Sequence, residues 1–204
     1  MNPTVPEVNV PDGCFHSSGH EPLQCGEGEY YRLAEDRLVE LVDGCLEFLP
    51  MPSLKHQVLL RFLFRLLDHW VSRGQLGEVY FAPLPVRLWP GRIREPDLIF
   101  VQRGKLRQEG PGLGGADLVM EIVSEGTEQR ARDLITKRAD YAAASIAEYW
   151  IVDPEGATVT VLTLENGAYR EHGVFGAGTQ ATSMLLPGFA VDVTALWAAG
   201  QVAE

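Results

Sequence analysis

The sequence predicts one α/β domain, of the mixed α+β type, with β-hairpins added at its N-terminal and C-terminal sides. Three observations support this prediction. The chain has 204 residues, of which 46% are hydrophobic, which is enough to fill a single core. A segment whose apolar residues repeat with the period of a helix is followed by several short β-prone runs, a second helical segment and one more apolar strand. No internal repeat, low-complexity tract or linker divides the chain.

Residues 1–28 are expected to form a flexible N-terminal segment, because prolines and glycines recur there without apolar periodicity. The single domain is expected to span residues 29–204. Near its start, the runs LVELV and CLEFL flank Asp43-Gly44, a dipeptide that suits a type I′ turn because both central residues need positive φ. We therefore expect a β-hairpin between residues 37 and 49.

An amphipathic helix is predicted to begin at Ser53 and to end at Gly74. Its apolar side is expected to carry Leu60, Leu63, Leu67 and Trp70. Three β-prone runs follow, VYFAPLPVRLW, DLIFV and ADLVMEIV, which we interpret as consecutive strands of one sheet. This order of a helix and three strands is the first half of the predicted core.

A second helix is predicted from Thr127 to about Ala144, and EYWIVD at 148–153 reads as a central strand because it is apolar on both faces. The runs TVTVLTL and YREHGVF then flank an Asn-Gly pair at 166–167, which predicts a second hairpin. LPGFAVDVTALW closes the chain. The core order is therefore helix, three strands, helix and strand.

The overall charge of −11, from 17 basic and 28 acidic side chains, disfavours a constitutive nucleic-acid binder that relies on electrostatics alone. No apolar run is long enough for a membrane span and the N-terminus lacks a signal-peptide pattern, so we expect no membrane partner and a cytoplasmic location. Three cysteines do not make a disulfide framework. Basic residues do cluster around Asp97, where they form either a solvated loop or a phosphate-facing rim. They are Arg87, Arg92, Arg94, Arg103, Lys105 and Arg107.

Two carboxylates are candidates for chemistry. Asp97 precedes the strand LIFV, where it either projects into a cleft or simply punctuates a loop. Glu121 lies within DLVMEIV on the side of apolar neighbours, where a charge is costly unless it is paired or bound to a metal. It is either a metal ligand or a carboxylate that is exposed at a sheet edge or held in a salt bridge. Two carboxylates from adjacent strands are what a Mg²⁺ site needs, with Mn²⁺ as a possible substitute.

Lys137 lies on the second helix, on the same side as Leu134 and Tyr141. Its ammonium either reaches over the sheet toward Glu121, where it could stabilise charge on a phosphoryl group, or forms a surface pair with Asp133. Tyr141 is accordingly an accessory candidate.

Two further polar residues are accessory candidates. His56, in the first turn of the first helix, is either a ligand or a hydrogen-bonded core residue. Glu40 is either a polar residue of the hairpin or an outer carboxylate of the same site.

Other motifs carry less weight. Cys14, His16, His20 and Cys25 have an unfamiliar spacing for zinc. The phosphate-binding loop, dinucleotide-binding, hydrolase-elbow and zincin motifs are absent from the sequence.

Taken together, the pattern resembles the restriction endonuclease family called Uma-two, a branch of the PD-(D/E)XK nuclease superfamily. It consists of Pro96-Asp97, Glu121-x-Val123 and Asp133-x3-Lys137-x3-Tyr141 before EYWIVDP, and the resemblance extends from about Tyr31 to Trp197. Further matching segments are ELVDG at 40–44, MPS at 51–53 followed by His56, and LPGF at 186–189.

The resemblance implies a restriction-endonuclease-like core, a DNA substrate and hydrolysis of phosphodiester bonds through a Mg²⁺-bound water. It also implies that Asp97, Glu121 and the backbone carbonyl of Ile122 bind the metal, and a homodimer is possible because two strands must be cut. Where the superfamily has lysine after E-x, this chain has Val123. Either Lys137 has taken over the role of that lysine, or the chain is an impaired nuclease-fold module that binds nucleic acid or protein.

Overall fold

The structure is a computed structural model that describes residues 25–34, 38–123 and 132–201. Most of the predicted N-terminal segment, the predicted helix start at Thr127 and the cluster residues Cys14, His16 and His20 lie outside these ranges. The prediction of a flexible segment over residues 1–28 and a domain over residues 29–204 stays a prediction.

The described helices are α1 (Glu27–Ala34), α2 (Leu54–Gly74), α3 (Lys137–Ala143) and α4 (Val193–Ala199), and a π-helical turn (Arg132–Thr136) leads into α3. The strands are β1 (Val39–Val42), β2 (Cys45–Phe48), β3 (Gly77–Phe81), β4 (Val86–Trp89), β5 (Arg92–Arg94), β6 (Leu98–Gln102), β7 (Gln108–Glu109), β8 (Gly112–Leu113), β9 (Leu118–Ile122), β10 (Glu148–Asp153), β11 (Thr158–Glu165), β12 (Ala168–Phe175), β13 (Gln180–Thr182) and β14 (Ala190–Asp192). None of the helices in the described ranges is both long and apolar enough to cross a membrane.

A six-stranded sheet lies at the centre, in the order β12-β11-β10-β9-β6-β3. β9 and β10 run parallel and the other neighbours are antiparallel. α2 precedes β3, β6 and β9, and α3 precedes β10, so the predicted core order of helix, three strands, helix and strand is confirmed. β10 is interior in the sheet, as its apolar sequence predicted.

The two faces of this sheet have separate cores. α2 and α4 pack on one face, where leucines of α2 and Val71 contact side chains such as Phe100 and Trp150. α3 packs on the other face, where Tyr141 contacts a cluster that contains Val119, Val123 and Tyr149. Strand alternation divides the residues of β9 between the two cores, so Glu121, in phase with Val119, is on the α3 face.

A second sheet, in the order β2-β1-β5-β4-β8-β7, carries the N-terminal hairpin. The hairpin is confirmed, and its turn residues Asp43 and Gly44 have positive φ values of 50° and 81°. The C-terminal hairpin of β11 and β12 is confirmed as well, with Asn166 and Gly167 in the same conformation.

Helix α2 has the predicted bounds. The Ser53 side chain accepts a hydrogen bond from the backbone N–H of His56, which satisfies one of the open donors of the first turn. The helix ends with Gln75 in the left-handed conformation, at φ 50°. One side-chain assignment is wrong: Trp70 is 37% exposed, and Val71 takes the buried position instead.

Two other expectations need correction. VYFAPLPVRLW is not one strand of one sheet, because β3 belongs to the central sheet and β4 to the second sheet. Pro83 and Pro85, which lie between them, lack the N–H that a continuous ladder needs. Helix α1, with Tyr30 fully buried, was not predicted, since it has too few residues to show a helical period.

Candidate active site

Asp97 lies at the start of β6, next to the end of β9. Its Oδ2 accepts a hydrogen bond from the backbone N–H of Ile122 at 2.7 Å and lies 3.1 Å from Nε2 of His56. Its Oδ1 makes no hydrogen bond with any residue that the structure describes. The carboxylate is thus fixed through one oxygen and presents the other, which agrees with the interpretation that it faces a cleft.

Glu121 is buried on β9, with its side chain 5% exposed, so it is not an exposed edge residue. Its Oε1 accepts from Nζ of Lys137 at 2.8 Å and from the hydroxyl of Tyr141 at 2.5 Å. Lys137 is 3% exposed, so its ammonium does not lie at the surface. Lys137 and Tyr141 are four residues apart on α3, so one face of this helix delivers both donors to one carboxylate.

Burial and the neighbouring charge of Glu121 raise the pKa of Tyr141 well above its ordinary value. The phenol therefore stays protonated and acts as a donor to Glu121. We expect Tyr141→Phe to lower the free energy of unfolding by about 1.5–3 kcal/mol, the usual value of a hydrogen bond to a charged group. Urea denaturation measures this, with Tyr80→Phe as the control because Tyr80 makes no side-chain hydrogen bond within the described ranges. A loss of similar size in both variants would contradict the assignment.

Glu40 is fully buried and contacts the same lysine. Its Oε1 lies 3.3 Å from Nζ of Lys137 and accepts from the backbone N–H of Glu95 at 3.0 Å. Of the two interpretations of Glu40, the structure thus places it against the site and not on the outside of the hairpin. His56, the other accessory candidate, contacts Asp97.

A cavity of about 110 Å³ opens beside these residues. Its polar lining is His56, Gln57, Glu95, Asp97 and Lys137, and proline, leucine and alanine side chains form the rest. Since a water molecule takes up about 30 Å³ in the liquid, the cavity has room for a few waters or a hydrated ion. Glu121 is not part of this lining; it lies behind Lys137.

Glu95 is a third carboxylate at the cavity, and sequence reasoning did not assign it a role. Tyr30 donates to its Oε1 at 3.2 Å, whereas its buried Oε2 has no hydrogen-bond partner among the described residues. Burial first, and then the charge of Glu40, raise the pKa of Glu95 to about 7. The sequence did contain a signal for Glu95: it lies two residues before Asp97, and residues two apart in an extended chain point to the same side.

Arg94 stands at the centre of a buried ion cluster, the Arg94 cluster, that joins three elements. Its guanidinium is fully buried and donates to Asp140 of α3 at 2.6 and 2.9 Å. It also donates to Glu40 of β1 at 2.7 Å and to Glu47 of β2 at 2.9 Å. The Arg94 cluster therefore ties α3, which carries Lys137, to the N-terminal hairpin.

Most of the basic residues around Asp97 do not form a phosphate-facing rim, which is one of the two interpretations that their sequence positions allow. Arg92 and Arg94 are buried in ion pairs, Arg87 pairs with two glutamates, and Lys105 pairs with Asp117. Each of these cations has an acidic partner far away in the sequence, which local composition does not reveal. Arg103 is exposed but follows β6 at the end opposite Asp97.

The oxygens around the cavity fit a hard divalent cation. Asp97 Oδ1 and Glu95 Oε2 are carboxylate atoms that make no hydrogen bond within the described part of the chain, and both residues line one small cavity. In the described part of the chain, no three His, Cys, Asp or Glu side chains are grouped closely enough to hold a metal ion. Mg²⁺ does not need such a cage, because it commonly uses one or two carboxylates and keeps several waters.

Comparisons with known proteins identify the family and the fold. The model of the Uma2 family, described as "Putative restriction endonuclease", matches residues 28–194. The chain is also similar to a protein from Anabaena variabilis whose crystal structure is described as that of "a putative nuclease belonging to DUF820". The two have 15% sequence identity and a TM-score of 0.70, over 88% of this chain and 99% of that one. At this identity the similarity shows the fold, and it confirms the predicted fold class. No curated protein has significant sequence similarity to the chain.

Proposed function

The chain belongs to the Uma2 family, and on this premise we propose that it is a metal-dependent DNA endonuclease that hydrolyses phosphodiester bonds. The observation that carries the proposal is the meeting of an open Asp97 oxygen and the Lys137 ammonium at one cavity. An open carboxylate oxygen can hold a hard cation, and an ammonium can stabilise negative charge on a phosphoryl group. The proposed reaction needs both functions.

Asp97 would hold Mg²⁺, or Mn²⁺ in its place, through its Oδ1, with the carbonyl of Ile122 and the carboxylate of Glu121 nearby as further candidate ligands. The cation would supply Lewis-acid chemistry, which neutralises phosphate charge and makes water a better nucleophile. Ile122 and His56 fix the orientation of Asp97 through its other oxygen. Lys137 would stabilise the charge that develops on the phosphoryl oxygens.

The position of Lys137 supports the interpretation that it has replaced the missing strand lysine. Val123 is 4% exposed and packs in the core of the α3 face. Lys137 instead reaches Glu121 from the helix, at 2.8 Å. An ammonium beside that glutamate is thus available without a lysine at position 123, which favours an active site over a binding-only module.

Conversion of supercoiled plasmid to nicked or linear DNA tests the proposal. We expect wild-type protein to cut with Mg²⁺ or Mn²⁺ and not with chelator. Asp97→Asn should lower the rate by about 100-fold or more, as removal of one group that stabilises the transition state does. Lys137→Arg keeps the positive charge but displaces it, because the guanidinium is larger and planar, and a misplacement of about 1 Å can also cost about 100-fold in rate. Both substitutions keep side-chain size or charge, so the buried neighbours keep a partner.

Lys105→Arg is the matched control, because Lys105 is an exposed lysine paired with Asp117 outside the cavity. It should leave the rate unchanged, and thermal unfolding should show that all variants are folded. Equal metal-dependent cutting by wild type, Asp97→Asn and Lys137→Arg would falsify the site assignment. Metal-independent DNA binding without cutting would favour the binding-module alternative.

A further inference from the structure

Helix α2 carries a concentration of exposed positive charge in an otherwise acidic chain. Within residues 54–74 there are four lysine or arginine residues and one aspartate, a net charge of +3, in a chain whose net charge is −11. The four cations are exposed and form what we call the basic stripe: Lys55, Arg61, Arg65 and Arg73.

The cations of the basic stripe differ from most other described cations, because they have no ion-pair or hydrogen-bond partner among the described residues. None of the four side chains makes an ion pair or a hydrogen bond with a described residue. Outside α2, nine lysine and arginine side chains each bind a carboxylate or a backbone carbonyl, whereas Arg103 binds neither within the described ranges. Even Asp68, which lines a groove together with Arg61 and Arg65, forms no ion pair with them.

The spacing and position of the stripe suit a charged polymer. Arg61 and Arg65 are four residues apart, about 6 Å along the helix, and Arg73 lies about 12 Å beyond Arg65. The opposite side of α2 is packed on the sheet, so the stripe faces outward. His56, Gln57 and Leu60 of the same helix line the cavity, and Arg61 follows Leu60 directly. The stripe therefore starts next to the candidate active site and leads away from it.

We propose that the basic stripe of α2 binds the phosphate backbone of the DNA duplex whose cleavage is proposed above. The inference rests on that proposed function. DNA presents a dense row of negative charge, and the unpaired cations of the stripe complement it. Contacts of this kind carry no sequence information, so the stripe would hold the duplex in place beside the cavity without selecting its sequence.

The salt dependence of DNA binding tests this directly. Fluorescence anisotropy with a labelled duplex, in chelator so that no DNA is cut, gives the binding constant at several salt concentrations. Each phosphate contact adds about 0.9 to the slope of log K against log salt concentration. The variant Arg61→Gln/Arg65→Gln/Arg73→Gln should thus lose about 2 to 3 from the slope and bind on the order of 100-fold more weakly at 0.1 M salt.

The matched control is Arg32→Gln/Arg107→Gln/Arg170→Gln, which changes the net charge by the same amount at three exposed arginines outside α2, on α1, just before β7 and on β12. Its slope should stay within about 0.5 of wild type. Similar losses in both triple variants would overturn the proposal, because they would show an effect of net charge alone. Absence of duplex binding by wild type, or displacement of DNA by polyglutamate at equal charge, would overturn it as well.

The outcomes for the stripe and for the nuclease can be separated. If DNA binding in chelator depends on the stripe but no DNA is cut in Mg²⁺, the basic stripe is a DNA-binding surface and the proposed nuclease activity is rejected. If the protein cuts DNA in Mg²⁺ but the stripe variant keeps the wild-type slope of log K against log salt concentration, the nuclease activity is supported and the stripe is not the DNA-binding surface.

Discussion

Replacing Arg94 with methionine is expected to lower the free energy of unfolding by about 3–5 kcal/mol, as removal of one partner from a buried ion pair does. The reason is that Glu40, Glu47 and Asp140 would lose their shared guanidinium, and Glu40 is fully buried. Methionine fills similar space, so the effect reports the lost charge and hydrogen bonds. Urea denaturation at neutral pH measures it.

An exposed ion pair with a similar nitrogen–oxygen distance provides the control. Arg170 donates to Glu165 at 2.9 Å, but their side chains are 72% and 52% exposed. Arg170→Met should cost less than about 1 kcal/mol, because water screens the pair and solvates the glutamate that is left. If Arg94→Met cost no more than Arg170→Met, the Arg94 cluster would not be the stabilising centre that its geometry indicates.

Replacing Glu95 with glutamine is expected to change how stability depends on pH. The folded-state pKa of Glu95 is about 7, against an ordinary value of 4.5, because burial and Glu40 disfavour its charge. The folded protein therefore holds this proton more tightly than the unfolded chain. Stability from this group is fully present below about pH 4.5 and is lost as the pH rises to about 7, a total of about 3 kcal/mol.

Glutamine cannot ionise, so the variant should escape that loss. The unfolding free energy of Glu95→Gln relative to wild type should rise by about 3 kcal/mol between pH 4 and pH 8.5. Measurements in chelator exclude a contribution from cation binding. The exposed Glu171→Gln serves as control and should show no such rise. A pH-independent difference for Glu95→Gln would show that the carboxyl group is not held in its neutral form.

Local features of the fold were predictable because they depend on a few neighbouring residues. Asp43-Gly44 and Asn166-Gly167 adopt the positive φ values that their turns need, and this requirement is visible in two letters of sequence. The bounds of α2 follow from Ser53 as cap and Gly74 as last residue. A 21-residue helix also repeats its apolar pattern often enough to be recognised.

Features that depend on distant partners were not predictable. Arg94 reads as a surface cation, and its burial makes sense only with Asp140, 46 residues later in the chain. The division of residues 79–89 between two sheets depends on which strands they meet, and Pro83 was the local hint of that break. Trp70 lies at the boundary of the buried face of α2, where a single-period pattern does not decide exposure.

The candidate site was predictable in part from the sequence. The sequence identified Glu121 as a buried charge that needs compensation and Lys137 as a residue that could supply it, and the structure joins the two at 2.8 Å. It did not identify Glu95, because the orientation of that side chain into the cavity follows from its contact with Tyr30. The roles of Asp97, Glu121 and Lys137 in metal binding and cutting stay predictions.

Helix α3 has a consequence for how activity responds to heat. Lys137, Asp140 and Tyr141 all belong to this seven-residue helix. Asp140 pairs with Arg94 and Tyr141 donates to Glu121, so all three side chains lose their contacts together when the helix detaches from the sheet. Short elements held by a few tertiary contacts can open as one cooperative unit below the global unfolding transition. Opening of α3 would remove the ammonium from Glu121 while the central sheet stayed intact. An enzyme that takes its lysine from this helix would thus become inactive at a lower temperature than the one at which its sheet melts.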